Sequence, residues 1–242
     1  LDFAKAFDKV CHERLMVKVE AAGISGKVNA WLRDWLKNRL QRVILEGEQS
    51  EWMAVISSVV QGSVMGSTLF NIFIDDIDKM VLSFIKKFAD DTKAAKVMKN
   101  EQDQKALQED IDRMEEWAQK WQMEFNVKKC KIMHLGKKNP NYEYFMRGEK
   151  LSETQTEKDL GMLVENNLKP GAQCEAAAKK ANQILGQISR SFHYRHKEIF
   201  MQLYKTFVRP HLEYVGSAWC PWTEKDCETL EKVQKRAINM VL

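Results

Sequence analysis

"KKFADDTKAA", Lys86 to Ala95, sets two aspartates side by side, Asp90 and Asp91, just after the apolar run Val81–Ile85 and between flanking lysines. The span 81–97 reads as strand, acidic turn, strand, which puts both acids at a hairpin tip. A short apolar lead-in, Leu1–Phe3, carries Asp2 near another strand end. Three carboxylates gathered in one sheet repel one another and lose hydration unless a cation offsets the cost. Magnesium, a hard ion that prefers oxygen ligands, meets that need. Two such ions about 4 Å apart suit in-line phosphoryl displacement. A bland reading stands beside this one: Asp-Asp pairs are common in turns, and "FIDDIDK" offers a second acidic group, Asp75, Asp76 and Asp78, at the end of an apolar helix.

Working outward, Leu1–Phe3 gives way to a helix-compatible stretch, Ala4–Val10. Past Gly23 and Gly26, the residues Val28, Trp31, Leu32, Trp35, Leu36 and Leu40 recur at helical spacing, predicting a buried-face helix over Lys27–Leu40 with Arg33, Lys37 and Arg39 toward solvent. "QRVILEGEQSEWMAVISS" has the composition of a hairpin. In "VVQGSVMGS", Gly62 and Gly66 permit a tight backbone and close approach of a ligand, before "TLFNIFIDDI" resumes a helical pattern. Asn100 caps a helix, with Asp103 three residues on and Leu107, Ile111, Met114, Ala118 and Trp121 along one face. Phe125–Leu135 reads as a strand, and "LGMLV", Leu160–Val164, as a short strand in a second hairpin. From Glu175 onward apolar residues repeat at three and four, and a last helix starts near Glu224 with Leu230, Val233, Ile238 and Val241 inward. The fold class is therefore α+β: antiparallel strands with packed helices to about residue 172, then a helical subdomain.

With 242 residues the chain can bury a sizeable core. Its 38 Lys and Arg against 34 Asp and Glu give a net charge of +4, which favours an anionic partner only weakly. Cys11, Cys130, Cys174, Cys220 and Cys227 are scattered and odd in number, with no Cys-x-x-Cys pair; neither a disulfide framework nor a zinc site is indicated, and a reducing intracellular compartment fits. His12, His134, His193, His196 and His211 lack metal-ligand spacing and read as structural. No apolar run approaches the roughly twenty residues that span a bilayer, and no signal peptide opens the chain. A start at Leu1 rather than Met reads as a fragment of something longer.

"LDFAKAFDKV", "VVQGSVMGSTLFNIFIDDI", "FADDTK", "WQMEFNVKKCKIMHLG" and "KDLGMLV" occur in an order and spacing that resemble the reverse transcriptases of non-LTR retrotransposons, the jockey-like and chicken-repeat-like groups in particular. "HLEYVGSAWCPWTEKDCETLEKVQKRA" resembles the segment these elements carry after the polymerase core. The resemblance covers nearly the whole chain. It implies RNA-directed DNA polymerase activity, a polymerase palm with partial fingers over residues 1–172 and a helical thumb over 173–242.

Residue by residue, the resemblance makes Asp2, Asp90 and Asp91 the metal-binding catalytic acids, holding two magnesium ions or manganese in their place. At such a site a primer 3'-hydroxyl attacks the α-phosphate of a deoxynucleoside triphosphate and pyrophosphate leaves. Lys129 falls where a family lysine protonates the leaving group, with Lys128 and Lys131 as neighbouring alternatives. Phe7 matches the aromatic steric gate, and Phe3 joins it in the implied substrate-binding set. Gln61 and Gly62 match the "QG" that positions the nucleotide, while Leu160 and Gly161 match the primer-grip hairpin. The chain departs from the pattern at Val60 and Ser67, where the family has prolines, and their loss loosens the loop. Lys86, Lys87, Lys93, Lys96 and Lys99 around the hairpin, and Lys179, Lys180, Arg190, Arg195 and Lys197 beyond it, suit sequence-independent phosphate contacts. Trp31, Trp35, Trp117 and Trp121 fit helical core faces.

The implied partners are an RNA template, a DNA primer and deoxynucleoside triphosphates, with no membrane. Fingers and endonuclease domains of a parent protein are expected upstream, and the place of action is nuclear. Without fingers, the 242 residues alone are expected to show little polymerase activity. Two rivals stand: an inactive or repurposed remnant that binds nucleic acid or protein, which Val60 and Ser67 favour, and a two-metal nuclease, which leaves Phe7 and the "QG" loop unexplained.

Overall fold

A computed structural model describes residues 1–192 and 196–241, so His193 and Arg195 lie outside the described residues. The chain divides into two compact units, one of Leu1–Ile132 with Pro140–Ser152, the other of Met133–Asn139 with Glu153–Leu242. This division falls earlier than residue 172.

The first unit opens on α1 (His12–Ala21) and α2 (Gly26–Leu36). Two nested two-residue ladders follow: β1 (Leu40–Gln41) pairs with β4 (Met53–Ala54), and inside them β2 (Ile44–Leu45) pairs with β3 (Glu48–Gln49). This is the hairpin that its β-formers and the Glu46–Gly47 turn specify. Ser63 caps α3 (Val64–Ile74), its hydroxyl accepting from the Gly66 amide at 2.9 Å, and a 3-10 turn, Asp75–Met80, continues it. The antiparallel hairpin β5 (Phe84–Phe88) and β6 (Asp91–Ala95) leads to α4 (Glu101–Trp121), which begins with a full capping box between Asn100 and Asp103. Short strands β7 (Lys131–Ile132), β8 (Phe145–Met146), β9 (Glu149–Lys150) and β10 (Ser152–Glu153) follow, β8 pairing with β9.

One apolar core joins most of these pieces, while β1–β4 stay exposed. Phe3 stacks on Phe125 with ring centroids 4.2 Å apart, Phe7 stacks on Phe70 at 4.4 Å, and Phe73 meets Trp117 edge-on at 6.3 Å. Into it α1 sends Lys18, whose ammonium reaches Asp76 at 2.6 Å and lies over the Trp117 and Trp121 rings at 4.4 and 3.8 Å. Burial pushes this lysine down from 10.5 to about 8, against the hydrogen bond and charge of Asp76.

In the second unit β11 (Thr156–Asp159) and β12 (Met162–Glu165) form a hairpin seated on α5 (Gly171–Ser191). The Leu163 amide donates to Gln173 Oε1 at 2.9 Å and the Ala172 amide to Glu165 Oε2 at 3.1 Å, which explains why this hairpin groups with the helices. After α6 (Lys197–Leu203) comes a π-turn, Tyr204–Val208, ahead of Pro210 in α7 (Arg209–Glu213); proline has no N–H to give the helical ladder. Then come α8 (Gly216–Trp219) and α9 (Glu224–Asn239). Ala178 and Ala181 on α5 admit Val233 and Ala237 of α9 to a buried cluster with Leu185, Ile188, Phe200 and Val208.

The architecture is mixed α and antiparallel β, in the expected class. Several local expectations are corrected. Ala4–Val10 is a run of turns rather than helix, because its backbone is engaged by residues 57–59 and 124. The helix expected to reach Leu40 stops at Leu36, and its buried residues are Asn29, Leu32 and Leu36, while Trp31 is 53% exposed and stacks on Trp35. Arg33 reaches Glu20 at 2.8 Å. The strand expected over Phe125–Leu135 is broken by a turn at Val127–Lys129. Ile238 points outward and Ala237 takes its place inside. His12, read as structural, is buried and its Nε2 lies 2.8 Å from Ser58 O.

Candidate active site

Phe88 pairs with Asp91, so Ala89 and Asp90 alone make the β5–β6 turn. Ala89 has φ 51°, a left-handed conformation that costs about 1–2 kcal/mol for a residue with a Cβ. Two charged side chains seat the hairpin. Asp110, fully buried on α4, accepts from the amides of Leu82 and Ser83 at 3.0 and 2.8 Å and from Ser83 Oγ, and pairs with Arg113 at 3.0 Å. Burial works to raise its pKa, but these bonds and Arg113 hold the carboxyl below its ordinary range. Lys87, on the inner face of β5, donates to the Ile74 and Asp75 carbonyls at 3.0 Å and pairs with Asp78 at 2.5 Å. Two acids of "FIDDIDK" are thus structural: Asp76 serves Lys18 and Trp117, and Asp78 serves Lys87.

The N-terminal segment completes the arrangement. Leu1 N donates to Thr92 O at 2.8 Å and Thr92 N returns to Leu1 O at 3.3 Å, the reciprocal bonds of an antiparallel pair. That register sets Asp2 opposite Asp91, and residues opposite each other put their side chains on one face with Cβ atoms roughly 4.5–5.5 Å apart. On its other side the segment is held by Asn126 N to Asp2 O at 2.8 Å and Ala4 N to Glu124 O at 2.7 Å. Beneath it, the buried Cys130 Sγ accepts from the Asp2 amide at 3.4 Å. Lys129 Nζ lies 3.3 Å from Asp2 Oδ2. Asp90 is pushed up by burial first, against a backbone hydrogen bond that lowers it, then by the charges of Asp91 and Asp2, with Lys129 opposing more weakly. Asp2, Asp90, Asp91 and Lys129 therefore share one electrostatic neighbourhood.

Among the described residues no three His, Cys, Asp or Glu side chains are already drawn together as metal ligands. The donor chemistry nonetheless fits a hard divalent cation: carboxylate oxygens that repel one another, and a lysine ammonium already placed on one of them to offset that charge.

The "QG" loop lies in the same unit. Val59 N donates to Phe7 O at 3.1 Å and Gln61 Nε2 to Asp8 Oδ1 at 3.1 Å, which brings Gln61 beside Phe7. Gly62 has φ 81°, and a Cβ at Gly66 would stand 2.3 Å from Val60 O, so both glycines are demanded by the backbone. Ser67, standing where the family has proline, instead donates its hydroxyl to Val64 O at 3.0 Å. Phe7 is half-buried and its ring rests on Phe70. Phe3's ring is buried in the core and stacked on Phe125, away from solvent. In the second unit Leu160 and Gly161 form the β11–β12 turn, with φ 46° and 89°. Tyr214 Oη donates to Leu160 O at 3.0 Å, and the tyrosine ring closes over Gly161.

Sequence reasoning missed Asp8, Lys87 as an anchor, Asp110, Cys130 as a support for Asp2, and Tyr214. Asp110 left one trace, a carboxylate next to Ile111 on the apolar stripe of α4. The other four leave no periodic signal.

An α+β unit with antiparallel strands, three aspartates at one sheet end and a glycine-bearing loop in the same unit is palm-like, in the class of nucleic-acid polymerases. A family model described as reverse transcriptase (RNA-dependent DNA polymerase) matches residues 1–197, and the chain belongs to that family. The chain is 29% identical over 181 residues to the RNA-directed DNA polymerase from mobile element jockey of Drosophila funebris, a match covering 69% of this chain and 19% of that protein. Against the jockey protein of Drosophila melanogaster the figures are 27% over 142 residues, 54% of this chain and 15% of that protein. A probable RNA-directed DNA polymerase from transposon X-element of Drosophila melanogaster is 22% identical over 253 residues, covering 100% of this chain and 28% of that protein. The chain thus spans less than a third of each of these relatives. No described helix is long and apolar enough to cross a membrane.

Proposed function

We propose that the chain is the palm and thumb portion of an RNA-directed DNA polymerase of a non-LTR retrotransposon, joining deoxynucleotides to a primer 3'-hydroxyl on an RNA template. The observation that carries this reading is the Leu1–Thr92 pairing, which sets Asp2 opposite Asp91 with Asp90 electrostatically coupled to both. Residues 1–172 are assigned to the palm and 173–242 to the thumb. Asp2, Asp90 and Asp91 would hold magnesium, two ions by this reading, or manganese, and the metal would stabilise charge developing on the phosphate oxygens.

The chain's own residues do the rest. Lys129 would hand a proton to the departing pyrophosphate, and its ion pair with Asp2 supports that role. Phe7, braced by Phe70, takes the space a 2'-hydroxyl needs, and Gln61, steadied by Asp8, meets the incoming nucleotide at a loop where Gly62 admits close approach. The Leu160–Gly161 turn contacts the primer strand. Fingers and endonuclease domains belong to the parent protein, and the site of action is the nucleus.

The test is RNA-templated primer extension by the chain joined behind a fingers segment, compared with its Asp91→Ala variant. Metal-dependent extension that Asp91→Ala lowers by about 100- to 1,000-fold is expected, the scale on which transition-state electrostatics act. Equal products from both chains, or cleavage of the nucleic acid in place of extension, would overturn the reading.

A further inference from the structure

The second unit draws together three of the five cysteines that look scattered in sequence. Cys220 directly follows α8 and is exposed, Cys227 lies near the start of α9 and is half-buried, and Cys174 on α5 is fully buried against Trp219. Cys220 Sγ lies 4.0 Å and Cys227 Sγ 3.9 Å from a single atom, Pro221 O. The short connection between them is already ordered: Thr223 Oγ1 accepts from the Asp226 amide at 3.2 Å and donates to Asp226 Oδ2 at 2.7 Å, capping α9. Two sulfurs that each lie within 4.0 Å of one oxygen are at most about 8 Å apart, so a shift of the short connection between them brings them to bonding distance, whereas cysteines on distant elements would need a larger rearrangement.

We propose that Cys220 and Cys227 form an oxidation site, closing to an intramolecular disulfide when the protein meets a peroxide. Peroxide oxidises the accessible Cys220 thiol to a sulfenic acid and leaves as water. The Cys227 sulfur then attacks the Cys220 sulfur; the S–S bond forms, the S–O bond breaks, and hydroxide departs with the Cys227 proton as a second water. In sum two thiols lose two electrons and two protons, and one peroxide becomes two waters. Cys174 stays outside the reaction. It has no surface for peroxide to reach, and burial first, then the neighbouring Asp226, Cys227 and Cys220, keep its thiol protonated with a pKa pushed up to about 11, while the thiolate is the reactive form.

The bridge would fasten the end of α8 to α9 next to a structural clamp. Trp219, the residue before Cys220, donates its indole N–H to Tyr214 O at 2.7 Å, and Tyr214 holds the Leu160–Gly161 turn. The site is independent of the polymerase reading, since none of the acids or the loop of the first unit takes part.

Peptide mapping without reductant tests it directly, because Lys225 places a tryptic cut between the two cysteines. After peroxide treatment of the whole chain, the peptides holding Cys220 and Cys227 should appear joined, lighter by two hydrogens and separable by dithiothreitol. The joined species should vanish in Cys220→Ser, whose position is exposed, and persist in Cys174→Ala. The oxidised protein should melt several degrees above the reduced one, and that shift should be absent in Cys220→Ser. A bridge to Cys174, a bridge between two copies of the chain, or Cys220 recovered only as sulfinic acid would overturn the proposal.

Discussion

At the scale of single residues, Asp110 shows how a charge can be buried with profit when every lone pair has a partner. It takes bonds from two amides, a hydroxyl and a guanidinium, and through them fixes where β5 begins. Asp110→Ala should cost about 3 kcal/mol at neutral pH, the scale for leaving buried donors without an acceptor. Its folded pKa is depressed, so the stability it lends is present above the ordinary carboxylate value and is lost as pH falls through the folded one. Urea unfolding of wild type and variant should therefore give a large difference at pH 7 that narrows in strong acid; a difference constant with pH would contradict this. The sequence hinted at Asp110 only by its place on an apolar stripe. It gave no hint of Cys130 under Asp2, since a contact across 128 positions has no local pattern.

At the scale of elements, local chemistry was readable and packing was not. The Asn100–Asp103 capping box, the start of α9 at Glu224 and the three expected hairpins followed from residues within a few positions of one another, whereas the β8–β9 hairpin was not expected. The face that each helix buries depends on what it meets. Trp31 and Ile238 fit an apolar period yet face outward, while Lys18 breaks the period of α1 and is buried among Phe73, Trp117 and Trp121. Lys18 joins α1 to the turn after α3 and to α4, and it titrates within reach. Its folded pKa of about 8 lies below the ordinary 10.5, so between those values the unfolded chain binds a proton that the folded chain lacks. Stability from this group therefore rises with pH across that window. Unfolding curves from pH 7.5 to 10 should show wild type gaining stability relative to Lys18→Met; parallel profiles would show that Lys18 keeps its proton throughout.

At the scale of the whole molecule, the order of five motifs revealed the family, but their meeting in space rests on long-range pairing. Asp90 and Asp91 are visible as a pair in "FADD", and nothing local says that residue 2 lies opposite residue 91; the reciprocal Leu1–Thr92 bonds supply that. The same sequence offered a decoy in Asp75, Asp76 and Asp78, of which the fold gives Asp76 and Asp78 to lysines and a tryptophan. The proposed chemistry requires that Asp2 and the twin aspartates form one oxygen-lined site for a divalent ion. Titrating isotopically labelled protein with manganese and following amide resonances tests it most directly, because a paramagnetic ion broadens only what lies near it. The account predicts that Asp2 and Phe3 broaden together with Asp90 and Asp91, at one manganese concentration, and that the effect is lost in Asp90→Asn. Broadening confined to Asp75–Asp78, or of residue 2 and residues 90–91 at separate concentrations, would contradict it.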